Sequence, residues 1–260
     1  MKKFGLIGYP LGHSFSARYF SAKFQSEQLD CAYELFAVSS AEKLSDFLAA
    51  HSDFTGFNVT IPYKQHIMHL LDEISEDARD IGAVNVVKQT RHVESKITRS
   101  GHNTDWQAFS ESLKPLLTKE IRHALILGTG GAAKAVRHAL GKLDIKATFV
   151  SRRPTDADVT PAVSYDDIDE QMMHDNLLIV NASPAGMFPA VEDCPKIPYE
   201  YITSCHICYD LVYNPLYTKF MAMGEKHGAK VKNGLEMLER QAELSWRIWM
   251  SGTNQPCMNQ

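Results

Sequence analysis

Short apolar runs and helix-spaced apolar stripes alternate along the whole chain. Residues 4–7, 33–38, 54–60 and 83–87 have the apolar, β-branched and aromatic character of strands, and a hairpin is expected around residues 90–96. Between them, residues 15–29 and 41–50 carry helical spacing. Pro62, followed by Tyr63, Lys64, Gln65 and His66, suggests a helix with proline in its first turn. Residues 104–117 read as a further helix. Strands follow at 124–127, 146–150, 177–180, 207–212 and 230–231, with helices after Gly130, at 216–227 and, longest of all, at 235–250. This alternation predicts an α/β fold with largely parallel sheets. Roughly 100 residues precede the strand at 124, enough for a domain of their own.

The junction after that strand carries the first chemical signal. Ala-Leu-Ile-Leu-Gly-Thr-Gly-Gly-Ala-Ala runs from 124 to 133, with the spacing Gly128-x-Gly130-x-x-Ala133 and with Gly131 and Ala132 opening the helix. A dinucleotide pyrophosphate needs close backbone approach and the free N–H groups of a helix start. Glycine alone marks a tight turn; between strand and helix it points to a dinucleotide. The next strand ends in Ser151-Arg152-Arg153. NAD-selective sites place a carboxylate near this point, whereas arginine forks pair with phosphate oxygens. The expected cofactor is therefore NADP; a solvated basic turn is the plainer alternative.

Composition limits the remaining choices. The 260 residues suffice for two domains, and 44% hydrophobic and 22% charged residues are ordinary for a globular protein. A net charge of −4 argues against a nucleic-acid surface. No apolar run reaches the roughly 20 residues of a membrane span, and because Met1 to Gly5 lead directly into a strand-like segment, no signal peptide is expected. A cytoplasmic location is expected. Cys31, Cys194, Cys205, Cys208 and Cys257 are scattered; the Cys205-x-x-Cys208 pair enters a strand-like run, which favours free thiols over zinc or redox chemistry. No metal is expected.

Four polar clusters fall at predicted strand ends. Ser14 and Ser16 sit at a loop-to-helix junction, where they suit a carboxylate or, for Ser14, a helix cap. Asn58 and Thr60 share one face of their strand, and Lys64 follows; such a lysine is either solvated or a proton carrier. Asn85 ends Gly82-Ala83-Val84-Asn85 and offers an amide to a hydroxyl. In Gly101-His102-Asn103-Thr104-Asp105, Asn103 or Thr104 suits a cap and Asp105 the positive helix end.

Taken together, these pieces resemble the shikimate/quinate dehydrogenase family. The matching residues are His13-Ser14-Phe15-Ser16, Asn58-Val59-Thr60 with Pro62 and Lys64, Gly82 to Asn85, and Asn103-Thr104-Asp105. They continue with the glycine turn, Ser151-Arg152-Arg153, Asn181-Ala182-Ser183, Gly186-Met187, and Tyr209-Asp210-Leu211-Val212-Tyr213-Asn214-Pro215. Gly234, Met237-Leu238 and Gln241-Ala242 close the set.

The resemblance implies an N-terminal α/β substrate domain, a Rossmann-type NADP-binding domain and a C-terminal helix returning to the first. The expected boundaries are 1–104 with 235–260, and 105–234. It implies Lys64 and Asp105 as the catalytic pair. Ser14, Ser16 and Tyr213 would hold the substrate carboxylate, and Thr60, Asn85, Asp105 and Gln241 the ring hydroxyls. Gly128, Gly130, Gly131, Ala132, Ser151, Arg152, Arg153 and Gly234 would bind NADP. The implied reaction is reversible NADPH reduction of 3-dehydroshikimate to shikimate by a monomer or homodimer. The alternatives are a quinate/shikimate dehydrogenase and a catalytically silent, nucleotide-responsive relative. This chain departs from the family pattern at Ala17, where proline is usual, and at Trp106-Gln107-Ala108, where glycine is common soon after the aspartate. It departs again at Ser183-Pro184-Ala185 and at Asn233, often acidic.

Overall fold

The computed structural model describes residues 1–11, 14–93, 96–154 and 162–252. His13 and Cys257 lie outside them. The chain divides into two compact units, Met1–Thr104 with Arg240–Gln260, and Asp105–Glu239.

The first unit contains β1 (Lys2–Gly8), α1 (Phe15–Ser26), β2 (Cys31–Ala37), α2 (Leu44–Ala50) and β3 (Gly56–Val59). It continues with β4 (Glu73–Ile74), α3 (Glu76–Ile81), β5 (Val86–Arg91) and β6 (Ile97–His102). Its sheet runs β2-β1-β3-β5-β6-β4. β1 pairs parallel with β2 and β3, whereas β5 is antiparallel to both β3 and β6. Strand alternation sends Ile7, Phe57, Val59 and Val87 into one core with Leu44 and Leu48 of α2. Phe4 and Val86 enter the opposite core with Phe20 and Phe24 of α1.

The second unit contains α4 (Asp105–Leu113), β7 (His123–Leu127), α5 (Gly131–Gly141), β8 (Lys146–Ser151) and β9 (Ala162–Ser164). After these come α6 (Glu170–Asp175), β10 (Leu178–Asn181), β11 (Ile207–Asp210), α7 (Lys219–Lys226) and β12 (Lys230–Lys232). The sheet order is β12-β11-β10-β7-β8-β9, and every pairing is parallel. Central strands of such a sheet are covered on both faces, which explains the unbroken apolar run Ala124 to Leu127.

The last helix, α8 (Leu235–Met250), belongs to the first unit from Arg240 onward. Its Trp249 is fully buried against Phe4 and Phe20, and the indole N–H donates to the Val87 carbonyl at 3.0 Å. Burying an indole removes ~200 Å² from water, roughly 5 kcal/mol before entropy is charged against it. Gly56 makes the seat: any Cβ there would collide with this indole.

Several expected elements differ. No helix starts at Pro62. Instead the Tyr63 N–H donates to the Thr60 carbonyl at 2.9 Å, closing a turn through a cis Ile61–Pro62 bond, and only a 3₁₀ helix follows, at His66–Leu70. The strand expected at 83–87 begins at Val86, because Gly82, in the left-handed region at φ 70°, caps α3 and the chain must still turn through 83–85. α1 stops at Ser26 rather than 29, where the Glu27 N–H caps it and Gln28 turns to positive φ. α7 starts at Lys219 because Thr218 caps it. The first sheet is mixed rather than largely parallel, since the hairpin β5–β6 supplies its antiparallel half. β4, α3, β9 and α6 are too short to leave a periodic signal.

Candidate active site

In the first unit, the predicted polar residues gather where β1 and β3 end and β5 begins. Thr60 follows β3 and donates its N–H to the Ile7 carbonyl at 2.9 Å. A Cβ at Gly8 would strike the Thr60 methyl, so glycine lets the end of β1 approach this close. Lys64 is half-buried, and its carbonyl accepts from the Val84 N–H at 2.7 Å. That bond ties the lysine's backbone to the segment leading into Asn85.

Asn85 is buried and uses both ends of its amide. Its Nδ2 donates to Thr104 Oγ1 at 3.0 Å and to Gln241 Oε1 at 3.4 Å, and its Oδ1 accepts the Thr104 N–H at 2.8 Å. The Thr104 hydroxyl also reaches the Gln241 carbonyl at 3.2 Å. Thus Asn85, Thr104 and Gln241 form one cluster, immediately before Asp105 in the chain. The Asn103 amide donates to the Ala83 carbonyl at 2.9 Å.

A second chain of contacts joins Ser16 to Gln241. The buried Ser16 hydroxyl hydrogen-bonds Tyr33, whose hydroxyl donates to Asn58 Oδ1 at 2.8 Å. Asn58 Nδ2 donates to Ser245 Oγ at 3.0 Å, and Ser245 donates to the Gln241 carbonyl at 2.7 Å. Burial pushes the Tyr33 phenol well above its ordinary range, so it stays a neutral donor. Tyr33 and Ser245 escaped the sequence reading. Ser245 lies one turn after Gln241 and was findable by spacing, whereas Tyr33 arrives from a strand with no polar pattern. Ser14 caps α1 and accepts from the Ala17 N–H at 3.4 Å. That cap depends on the departure at Ala17, because proline has no N–H to give.

The second unit holds the glycine turn. Gly128 sits at φ 116°, in the left-handed region, and a Cβ there would lie 3.1 Å from the Ala182 carbonyl. Gly130 precedes α5 without a side-chain cap, and a Cβ at Gly130 would meet nothing within 4 Å. Gly131 and Ala132 follow in the first turn, both half-exposed, while Ala133 is buried beneath them. Open space before an uncapped helix start fits a bound pyrophosphate.

Ser151, Arg152 and Arg153 stand at the end of β8, and the Arg153 N–H donates to Ser151 Oγ at 3.2 Å. Both arginines are exposed. Burial raises the Tyr165 phenol, and the positive charge of Arg152 opposes that shift. A charged fork held at this strand end suits a 2′-phosphate.

Gly234 has a packing role: a Cβ there would run into the Leu211 backbone. Beside it, Asn233 donates Nδ2 to the Leu216 carbonyl at 2.8 Å and accepts the Leu235 N–H at 3.2 Å. Trp106 packs edge-on against His138 of α5 with ring centroids 5.3 Å apart, so its bulk is taken up between helices. Tyr213 is half-buried in the segment after β11. Lys64 belongs to the first unit, and Asp105 and Tyr213 to the second.

Cys205 is exposed, while Cys208 is buried and its thiol is pushed up to about 12 by burial. Among the described residues, no three His, Cys, Asp or Glu side chains converge on a metal position, and no helix is long and apolar enough to cross a membrane.

Residues 6–87 match the family described as shikimate dehydrogenase substrate binding domain. The shikimate dehydrogenase (NADP(+)) of Caldicellulosiruptor saccharolyticus is 35% identical over 98% of this chain and 94% of its own. The crystal structure of shikimate 5-dehydrogenase from Thermus thermophilus, in complex with NADP(H) and shikimate, superposes with a TM-score of 0.83. It is 32% identical and covers 96% of this chain and 93% of that one. Quinate dehydrogenase from Corynebacterium glutamicum in complex with NAD has the same TM-score at 27% identity, covering 95% and 93%. With identity above 30% sustained along nearly its full length, the chain belongs to the shikimate dehydrogenase family.

Proposed function

We propose that this chain is an NADP-dependent shikimate dehydrogenase, an oxidoreductase that reversibly reduces 3-dehydroshikimate to shikimate in aromatic amino-acid biosynthesis. The observation that carries the reading is the buried Asn85–Thr104–Gln241 cluster, an amide-and-hydroxyl surface built for ring hydroxyls. In this reading the first unit, with its C-terminal helix, binds substrate and the second binds NADP. It works in the cytoplasm as a monomer or homodimer.

NADP supplies the hydride exchanged at the substrate's ring carbon. The residues of the chain supply position and the proton. Ser14, Ser16 and Tyr213 hold the carboxylate, and Thr60, Asn85, Asp105 and Gln241 read the ring hydroxyls. The Lys64 ammonium gives its proton to the oxygen on the reacting carbon during reduction and recovers it in the reverse direction. Asp105 orients that exchange and stabilises the cationic lysine. Gly128, Gly130, Gly131 and Ala132 present backbone to the pyrophosphate, and Ser151, Arg152 and Arg153 hold the 2′-phosphate. Gly234 contributes by letting its segment lie against Leu211.

An absorbance assay at the reduced-nicotinamide band, crossing shikimate and quinate with NADP and NAD, tests the reading. NADP reduction with shikimate is the expected result. Turnover chiefly with quinate and NAD would move the chain to the activity named for the Corynebacterium neighbour, against which the two arginines argue. Folded protein that binds NADPH and turns over neither substrate would make it a nucleotide-responsive relative.

A further inference from the structure

Asp210 closes β11 with no exposed surface and carries no role in the reading above. Its Oδ1 accepts from Asn181 Nδ2 at 3.0 Å and from the Val212 N–H at 2.9 Å, and its Oδ2 accepts from the Thr218 hydroxyl at 2.6 Å. The donors come from three places: the end of β10, the segment that leads to Tyr213, and the cap of α7. No Lys, Arg or His among the described residues pairs with this carboxylate.

Asn181 extends the tie. Its Oδ1 accepts from the Ser183 N–H at 3.1 Å and the Ser183 hydroxyl at 2.7 Å, and its Nδ2 also reaches the Ala185 carbonyl at 3.2 Å. The loop so folded places the Ala182 carbonyl against Gly128 of the glycine turn. It is joined again to the segment after β11 by the Phe188 N–H, which donates to the Asn214 carbonyl at 3.0 Å.

A carboxylate accepts three donors from three directions, which a neutral amide or hydroxyl cannot do without turning a donor inward. Burial without a cation lifts the carboxyl to about 6, so its charge at neutral pH opposes folding. A residue kept at that cost points to what it holds in place.

We propose that Asp210 is a positioning residue for both ligands: it fixes the 182–186 loop against the glycine turn and, through Val212, the segment that carries Tyr213. The inference rests on the reading of Tyr213 as a carboxylate contact and of the glycine turn as the NADP site. Asn181 and Thr218 act in it as the two side-chain donors.

The test uses the full-length protein with Asp210→Asn, Thr218→Val and Thr218→Ser. It measures kcat, both KM values, NADPH affinity by calorimetry, and amide exchange at Val212 and Ser183. Asp210→Asn and Thr218→Val are expected to raise KM for shikimate and for NADP together, about tenfold, with a much smaller change in kcat. Thr218→Ser, which keeps the hydroxyl, should restore both. Exchange at Val212 and Ser183 should quicken while β7 amides stay protected. Wild-type KM values and exchange in both Asp210→Asn and Thr218→Val, whatever their melting temperatures, would overturn the proposal. If Asp210→Asn does not fold, the valine–serine pair decides alone, and equal values across that pair overturn it. If the wild type itself turns over neither substrate, the functional reading fails, while NADPH affinity and amide exchange still decide the tie.

Discussion

The side-chain amide of Asn85 donates to the side-chain carbonyl of Gln241 at 3.4 Å, joining the entry of β5 to α8 across 156 residues of sequence. The same Asn85 nitrogen also reaches Thr104, so the three side chains share a fixed orientation. Gln241→Ala should therefore act twice, removing the proposed substrate contact and releasing Asn85. An unmade buried hydrogen bond costs about 1–3 kcal/mol, so KM for shikimate should rise by roughly tenfold or more. KM for NADP should stay within about twofold, because the cluster lies in the first unit. Steady-state kinetics decide it; equal rises in both KM values would remove Gln241 from substrate recognition.

Lys64→Ala should lower kcat by about 10²–10⁴, the usual worth of a positioned proton carrier. NADPH affinity, measured by calorimetry on the same variant, should be unchanged. Comparable loss of both would mean that Lys64 holds the structure rather than the proton.

Replacing Arg152 and Arg153 together with glutamine should weaken NADPH far more than NADH. Each charge-assisted bond to phosphate contributes about 1.5–3 kcal/mol, so the NADPH/NADH preference should fall at least about tenfold. A ratio of kcat/KM values that does not move would reduce both arginines to surface charge.

The same substitution at two glycines should separate packing from ligand binding. Gly234→Ala drives a methyl into the Leu211 backbone and should cost about 1–3 kcal/mol of stability. Gly130→Ala adds a methyl in open space at φ −70° and should leave the melting temperature nearly unchanged while weakening NADP. Thermal melts with and without NADP distinguish the two, and a Gly130 variant that binds NADP like wild type would take that position out of the cofactor site.

Asp210 should leave a signature in stability against pH. Its folded pKa is about 6, against an ordinary 3.8, so the folded protein keeps this proton where the unfolded chain has lost it. The contribution is fully present below pH 3.8 and is lost as pH rises through about 6. The interval corresponds to roughly 3 kcal/mol. Urea unfolding from pH 4 to 8 should show wild type losing stability relative to Asp210→Asn as pH rises across this interval. A difference between them that is flat with pH would show that Asp210 does not titrate there.

By itself the sequence determined strands β7, β8, β10, β11 and β12 of the second unit, the bounds of α8 and the glycine turn, because each rests on local spacing. A buried parallel strand reads as an apolar run, and a helix with one apolar face reads at its own period. The types of the polar residues at the strand ends were visible for the same reason. Tertiary structure alone decided what those residues do to one another. Tyr33, from a strand with no polar pattern, supports Asn58, and Ser245 connects Asn58 to Gln241. Pro62 lies in a turn because the Thr60 carbonyl takes the Tyr63 N–H, a choice the proline's own preference for a first helical turn does not reveal. Gly234 and Asp210 owe their places to Leu211 and to Asn181, contacts that exist only after the strands are stacked. Local spacing records the secondary structure a segment adopts; burial and hydrogen-bond closure over long separations arise only when those segments pack.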